Sequence, residues 1–154
     1  PSTKLVIKHH PLDRGYREYG PFIRRQAEAL GIGDRVIAIH DQHLPTLLDH
    51  ARGVVVINST VGLSAVHHGT PVKVCGKAIY DMQGLTFQGT LDAFWQAAAG
   101  ERIDRELYGR FRSYLVAQTQ LNGSFYKRLD IPGSHTGVVW KMRPNVSQAY
   151  SSAA

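Results

Sequence analysis

Residues 54–62 of the 154-residue chain read VVVINSTVG, and this segment gives the clearest indication of how the chain folds. Four apolar residues predict a buried strand, and Ser59 is a typical N-cap residue for a helix that starts directly after it. That helix is expected to end at Gly69, before Pro71. The junction brings hydroxyl groups together with free backbone N–H groups, where the helix dipole favours an anion. It therefore indicates a phosphate site, although a plain helix cap accounts equally well for Ser59.

Strands and helices alternate along most of the chain. Strands are predicted at residues 5–8, 35–39, 53–57 and 71–75. Helices are predicted at residues 16–30, 44–51, 60–68, 90–99 and 105–121. This order predicts an α/β fold with a Rossmann-like parallel sheet that helices cover on both faces. The residues of the first two helices expected to face the core are Phe22, Ile23, Ala27, Leu30, Leu47 and Leu48.

Length and composition bound the class of protein. Residues 1–130 are expected to form one Rossmann-like domain, followed by a partly irregular tail at residues 131–154. The chain runs from Pro1 straight into a strand without an initiator Met, and we interpret it as a piece of a longer protein. Cys75 lies in an apolar run and is expected to be a buried, reduced thiol, as in the cytoplasm.

The chain is basic, with a formal net charge of +6. This balance favours anionic partners such as nucleotides, phosphates, acidic glycans or anionic lipid surfaces. The basic residues are scattered and never form a block of five, so nucleic acid is not an expected partner. No apolar run approaches the roughly 20 residues that a membrane-spanning helix needs.

Polar residues follow the carboxyl ends of the predicted strands, where open parallel sheets bind ligands. His10 lies on the same side of its strand as Lys8, and Pro11 fixes the backbone just after it. The imidazole could bind a phosphate or a base, although a solvated surface turn is the simpler interpretation of these residues alone. All the strand-end groups are expected to converge on one edge of the sheet: His10, residues 41–43, residues 58–60 and residues 76–81.

Two further residues complete the predicted site. Gly62 permits close approach to the start of the helix, and Tyr80 could stack on a sugar or a base. The predicted ligand-binding residues are therefore Lys8, His10, Pro11, Asn58, Ser59, Thr60, Gly62 and Tyr80.

Several common sites are disfavoured by the sequence. The pairs at residues 9–10 and 67–68 are adjacent histidines whose side chains diverge on a strand or a helix, so no metal site is predicted. The chain has no G-x-G-x-x-G, no P-loop and no G-x-S-x-G nucleophile elbow.

Five motifs in order carry a family resemblance: KHHP (8–11) with Gly15, INSTVGL (57–63), GTPV (69–72), GKAIYD (76–81) with GLT (84–86), and QLNGSFY (120–126). Together they resemble the capsule polysaccharide biosynthesis and export proteins of Gram-negative bacteria, the β-Kdo transferases that build the lipid-linked linker of a capsule. The resemblance covers residues 5–126. The pattern GLSA (62–65) with GTPV also resembles the wider GT-B class, in which a Glu often stands at the position of Ser64.

The resemblance implies that this chain is the C-terminal, donor-binding half of a GT-B glycosyltransferase that transfers Kdo from CMP-Kdo to a lipid-linked acceptor. His10 and Pro11 match the motif that contacts the cytidylyl group, and Ser59 and Thr60 match the motif at the phosphate. No cofactor or divalent ion is implied. The departure at Ser64 leaves the ribose contact unassigned.

The resemblance also implies partners and a location. The catalytic carboxylate is unknown and is expected on a separate N-terminal GT-B half; within this chain Asp41 and Asp81 are no more than candidates. The isolated chain is expected to bind nucleotide weakly and to be inactive. The expected location is the cytoplasm, with peripheral association at the cytoplasmic face of the inner membrane.

Two other functions are compatible with the sequence. The first is a non-catalytic glycan- or nucleotide-binding domain in capsule export or assembly. The second is a GT-B enzyme that uses another nucleotide sugar, such as a sialyltransferase or a UDP-sugar epimerase.

Overall fold

The computed structural model describes residues 2–10, 12 and 15–120. The chain divides between Ile103 and Asp104 into two units. The second unit contains helix α5, Arg105–Thr119. The first unit contains, in chain order, β1 Leu5–Lys8, α1 Tyr19–Ala29, a 3-10 turn Gly33–Arg35, β2 Val36–Ile39, α2 Leu44–His50, β3 Val54–Val56, α3 Thr60–His68, β4 Val72–Val74 and α4 Leu91–Ala97.

The strands pair in parallel, which confirms the predicted α/β class, but the described strands form two small sheets instead of one. β1 pairs with β2 so that Val6 faces Ile37, and β3 pairs with β4 so that Val55 faces Lys73. Val6 and Ile37 are 45% and 43% exposed. Helices therefore do not cover both faces of the β1–β2 pair, as they do in a doubly wound sheet. The prediction of one continuous sheet was wrong.

The hydrophobic core lies around β3, β4, α3 and α4. Val66 of α3, Val72 of β4 and Phe94 of α4 are each almost fully buried, together with Leu85 from the loop before α4. Thr70 adds a buried hydrogen bond, because its hydroxyl donates to the carbonyl oxygen of Leu48 at 2.7 Å. This bond ties the end of α2 to the segment that follows α3.

Helix α1 differs from its sequence-based prediction. It starts at Tyr19, three residues later than expected, and only Ala27 on its predicted apolar face is fully buried. Phe22 and Leu30 are 53% and 71% exposed, so the expectation that both face the core was wrong. A periodic apolar stripe shows which face of a helix is suited to burial, but burial also needs a packing partner. In α2 the expectation is met by Leu48, which is buried, and in part by Leu47.

Helix α3 begins and ends where the sequence predicts. The hydroxyl of Ser59 accepts a hydrogen bond from the N–H of Val61 at 3.2 Å, as an N-cap does. Gly69 adopts a left-handed conformation with φ of +82°, and the N–H of Thr70 donates to the carbonyl of Ala65 at 2.9 Å. This is the Schellman closure that favours glycine.

Cys75 is exposed, which corrects the prediction of a buried thiol. Strand β4 ends at Val74, one residue earlier than predicted, so Cys75 lies beyond the buried part of the strand. Its backbone N–H still donates to the carbonyl of Val56 at 2.8 Å.

Helix α5 is capped by Asp104, whose carboxylate accepts from the N–H of Leu107 at 2.8 Å. An ion pair between Glu106 and Arg110 lies on its exposed surface. The predicted domain boundary at residue 130, the tail at residues 131–154 and the motif residues 121–126 lie outside the described residues.

Candidate functional site

The start of α3 is an exposed helix N-terminus with hydroxyl groups on it. Asn58, Ser59 and Thr60 are all exposed, and the first turn of the helix contains no acidic residue. Because the Ser59 oxygen accepts the cap hydrogen bond from Val61, the hydroxyl proton of Ser59 remains able to donate. Hydroxyl donors at a positive helix end form a suitable environment for an anion.

The side chain of Tyr80 contacts the start of α3. Its hydroxyl donates a short hydrogen bond to the backbone carbonyl of Ser59. Its ring packs against Gly62, where a Cβ atom would lie 2.8 Å from Cε2 and Cζ of the ring. Burial, and then the nearby carboxylate of Asp81, raise the pKa of the Tyr80 hydroxyl. The group therefore stays a neutral donor under ordinary conditions.

The burial of Tyr80 alters the role expected for it. The side chain is only 3% exposed, and stacking on a sugar or a base needs an open ring face. The structure instead makes Tyr80 a positioning residue for Ser59. Sequence analysis missed this role. The one sequence feature that pointed to it was Gly62 in the first turn of a helix, where a glycine indicates that a neighbouring group comes close.

The loop after β4 reaches the loop after β3 through a second close approach. The N–H of Gly76 donates to the carbonyl of Ile57 at 2.8 Å, and a Cβ at position 76 would lie 2.8 Å from that same oxygen. The two strand-end loops are thus joined at Gly76 and again at Tyr80. These contacts bring Ser59, Gly62 and Tyr80 together, and Asn58 and Thr60 flank Ser59 in sequence.

Asp81, one of the two candidate carboxylates, is held within the same loop. Its Oδ1 atom accepts from the hydroxyl of Thr86 at 2.7 Å and from the amide of Gln88 at 3.2 Å. Thr86 is itself 7% exposed. These bonds give Asp81 a structural function in fixing the segment that carries Tyr80.

Lys8 lies at the carboxyl ends of the other strand pair. Its ammonium group donates to the carbonyl oxygens of His40 at 2.8 Å and of His9 at 3.2 Å. The N–H of His9 donates to the carbonyl of Ile39 at 2.9 Å. Lys8 therefore joins the ends of β1 and β2 and places a positive charge at that edge.

His10 is exposed just beyond β1. The backbone N–H of Leu12 donates to its Nδ1 atom at 3.0 Å. This donor assigns the proton of the neutral ring to Nε2, which is the nitrogen that can donate to a ligand. Pro11 lies outside the described residues.

The predicted site residues thus occupy the ends of two separate sheets. Lys8 and His10 follow β1, whereas Ser59 and its neighbours follow β3, and the described strands β1 and β3 do not pair with each other. The convergence of His10 and Ser59 on one ligand stays a prediction. Asp41, the other candidate carboxylate, is paired with Nδ1 of His40 at 2.8 Å.

Neither a metal cluster nor a membrane-spanning helix is found among the described residues. No group of three or more His, Cys, Asp and Glu side chains in residues 2–10, 12 and 15–120 is arranged to hold a metal ion. None of the helices in that part of the chain has the length and apolar character needed to cross a bilayer.

Residues 1–126 match the family model of capsule polysaccharide biosynthesis proteins. The chain is 51% identical over 125 residues to the capsule polysaccharide export protein KpsS of Escherichia coli, covering 81% of the chain and 32% of KpsS. It is 44% identical over 139 residues to the capsule polysaccharide modification protein LipB of Neisseria meningitidis serogroup A, covering 88% of the chain and 32% of LipB.

A more distant relative is protein FixF of Sinorhizobium fredii, which is 31% identical over 128 residues, 81% of the chain and 30% of FixF. The chain spans about a third of the length of each of these relatives. No solved structure matches the chain.

Proposed function

Because the chain belongs to the capsule polysaccharide biosynthesis protein family, we propose that it is the donor-binding half of a GT-B glycosyltransferase. In this proposal the complete enzyme transfers Kdo from CMP-Kdo to a lipid-linked acceptor. The chain spans about a third of its relatives' length. The proposal accordingly assigns only donor binding to it, and the rest of the active site to a second Rossmann-like half of the parent protein.

The observation that carries the proposal is the exposed start of α3. Ser59 and Thr60 offer hydroxyl donors there, the helix contributes its positive end, and the first turn has no acidic residue to oppose a phosphate. Tyr80 fixes the carbonyl of Ser59 from the buried side. A donor group held in this way needs little reorganisation when charge develops on a bound phosphate.

His10 supports the same chemistry from the end of β1. With Nδ1 occupied by the N–H of Leu12, the neutral ring directs an Nε2–H donor outward. In the proposal this donor binds the cytidylyl group of the nucleotide, and Lys8 strengthens the positive potential nearby. Both residues then act on the same CMP molecule as Ser59.

In the proposed reaction, negative charge develops on the leaving group, CMP. The acceptor oxygen bonds to the anomeric carbon of the sugar while the bond from that carbon to the CMP phosphate oxygen breaks. The electron pair leaves with CMP, and the acceptor proton passes to a general base. Hydroxyls, helix end and His10 stabilise the departing phosphate. No cofactor is invoked, because hydrogen bonds from these groups stabilise a single phosphate.

The general base is proposed to lie on the other half. Asp81 accepts two hydrogen bonds within its own loop, and Asp41 is paired with His40. Both carboxylates therefore already have hydrogen-bond partners within this chain. The lipid-linked acceptor implies work at the cytoplasmic face of the inner membrane, and the net charge of +6 favours contact with anionic lipid there.

Calorimetric titration of CMP into the chain tests the proposal. Ser59→Asp preserves the helix cap, because Asp caps as well as Ser, but it places a negative charge where the phosphate should bind. We expect at least about a tenfold loss of CMP affinity, the size of one lost charge-assisted hydrogen bond. Ser59→Thr keeps the hydroxyl and should bind nearly normally. Ser113→Ala, an exposed serine on α5, is the control for removing a hydroxyl elsewhere.

Two results would contradict the proposal. One is equal CMP affinity in the original chain and in Ser59→Asp, since the phosphate would then bind elsewhere. The other is a preference for UDP or GDP in competition with CMP, which would favour a GT-B enzyme that uses a different nucleotide sugar.

A non-catalytic role in capsule export or assembly is the second candidate. The relative KpsS is named an export protein, and the basic charge of this chain suits an acidic glycan. This function predicts binding of acidic oligosaccharide without any binding of CMP. The transferase function predicts CMP binding in the same experiment.

A further inference from the structure

A cleft of about 380 Å³ lies at the carboxyl ends of β1 and β2. This volume is within the roughly 300–1,000 Å³ range of small-molecule sites. Its walls come from the end of β1, the segment that leads into α1, and the end of β2. The carboxyl edge of a parallel strand pair is the usual place for a ligand in an α/β fold. The cleft contains none of the residues assigned above to the CMP site.

Three residues with aromatic rings are among those that line this cleft. The rings of His9 and Tyr19 have their centroids 5.8 Å apart, and those of His9 and His40 are 6.4 Å apart with planes inclined by 27°. Tyr19 is 43% exposed, and the open part of such a ring is a flat, partly apolar surface on which the C–H groups of a sugar ring can pack. His9 is one of the residues that line the cleft, whereas its neighbour His10 is not.

Charged groups line the same space. Arg17 is exposed at the cleft, and its guanidinium is suited to a carboxylate or a phosphate in a bidentate pair. His40 donates from Nδ1 to Asp41, which fixes the orientation of the ring. The ammonium of Lys8 adds positive potential at the same edge. Glu18 contributes one carboxylate, which can accept hydrogen bonds from hydroxyl groups.

We propose that this cleft, built on His9, Arg17, Glu18, Tyr19 and His40, is a second binding site that takes a sugar carrying an anionic substituent. Arg17 binds the carboxylate or phosphate of the sugar, Glu18 accepts from its hydroxyl groups, and the rings pack against its face. The anionic group is assigned from the guanidinium of Arg17 at the cleft. That the anion belongs to a sugar rests on the proposed function, in which the parent enzyme builds a glycan.

NMR titration of the 154-residue chain tests the cleft, with glucuronic acid, glucose 6-phosphate and glucose as probes. We expect both anionic sugars to shift the resonances of His9 and His40 and to bind more tightly than glucose. Arg17→Gln should weaken their binding by about tenfold, the effect of losing one charge-assisted hydrogen bond. Arg112→Gln removes an equal charge from an exposed position on α5 and should leave the binding unchanged.

Equal binding of glucose and the two anionic sugars would overturn the inference, as would unaltered binding in Arg17→Gln. A preference for one anionic sugar shows whether carboxylate or phosphate is the natural group, and either preference supports the site. Titration of CMP in the same samples separates the two proposals. CMP binding without sugar binding overturns the cleft alone, and sugar binding without CMP binding overturns the proposed function alone.

Discussion

The hydroxyl of Tyr80 donates a hydrogen bond to the backbone carbonyl of Ser59, across 21 residues of sequence. The bond connects a buried ring, which is 3% exposed, to the exposed residue that caps α3. It makes the geometry of the helix start depend on the loop after β4. The account of donor binding depends on this relationship, because a phosphate site at a helix end needs fixed donors.

Removing the Tyr80 hydroxyl should cost stability. Tyr80→Phe keeps the ring in place but deletes the bond to Ser59, whose carbonyl retains the N–H of Gly62 as a donor at 3.0 Å. We therefore expect a loss of about 0.5–1.5 kcal/mol in the free energy of unfolding, measured by urea denaturation. Tyr114→Phe on α5 is the matched control, because Tyr114 is 64% exposed. An equal effect of the two substitutions would show that the buried bond contributes nothing.

The raised pKa of Tyr80 gives an alkaline signature. Burial favours the neutral phenol in the folded state, whereas the unfolded chain ionises near the ordinary value of 10.0. Below that pH both states are protonated and the contribution to stability is complete. Above it the unfolded state loses the proton first, so stability falls as the pH rises. Unfolding curves from pH 8 to about pH 11 should show a steeper decline for the original chain than for Tyr80→Phe, and parallel curves would contradict this cause.

Gly62 should not tolerate a side chain. An alanine Cβ there would lie 2.8 Å from two ring atoms of Tyr80, so Gly62→Ala is expected to destabilise the chain by about 1–3 kcal/mol, as overpacking does. Gly109 lies inside α5, where an added Cβ atom would extend into open space. Gly109→Ala should therefore stabilise the chain by about 0.5–1 kcal/mol through helix propensity. Thermal unfolding of both variants distinguishes crowding from propensity, and shifts of the same sign would exclude the proposed contact.

The buried hydrogen bond of Thr70 should matter more than an exposed copy of it. Thr70 donates to Leu48, and Thr119 donates to Leu115, both at 2.7 Å. Thr70→Val removes this donor from the buried carbonyl of Leu48, which keeps the N–H of Ala51 as a donor at 3.2 Å, and we expect a cost of about 0.5–1.5 kcal/mol. Thr119→Val changes an exposed group that water can replace, and its cost in chemical denaturation should be under about 0.5 kcal/mol. Equal costs would mean that burial does not set the value of the bond.

His10 is expected to act on the donor and not on the fold. In the complete enzyme, His10→Ala and Ser59→Ala should each lower donor turnover, because each removes a group that stabilises the departing CMP. His10→Gln retains an N–H donor and should recover part of the activity lost in His10→Ala. Unchanged kinetics in both alanine variants would remove these residues from the site.

Local patterns predicted the elements well. The Ser59 cap and the Gly69 stop of α3 were confirmed because both depend on residues adjacent in sequence. The exposure of Phe22 and Leu30 could not be predicted, since an apolar stripe does not reveal whether a partner covers it. Cys75 was expected to be buried because the strand was predicted to extend one residue too far. The exact ends of helices and strands are the part of an element that a sequence pattern defines least well.

Contacts between distant residues account for the rest. The division into two strand pairs depends on which strands lie side by side. The sequence does not indicate this, because the strands that begin at residues 5 and 54 are both short apolar runs. The bond from Tyr80 to Ser59 and the ring cluster of His9, Tyr19 and His40 join segments 10 to 31 residues apart. No periodic signal marks such pairs, so they were found only in the folded chain.

A crystal structure of the chain with CMP would show whether one nucleotide contacts both Ser59 and His10. We expect the phosphate to lie at the start of α3, within about 3.2 Å of Ser59 Oγ. We also expect Nε2 of His10 to donate to the same nucleotide. A CMP molecule bound away from α3, or one that Ser59 contacts while His10 lies remote from it, would contradict the account.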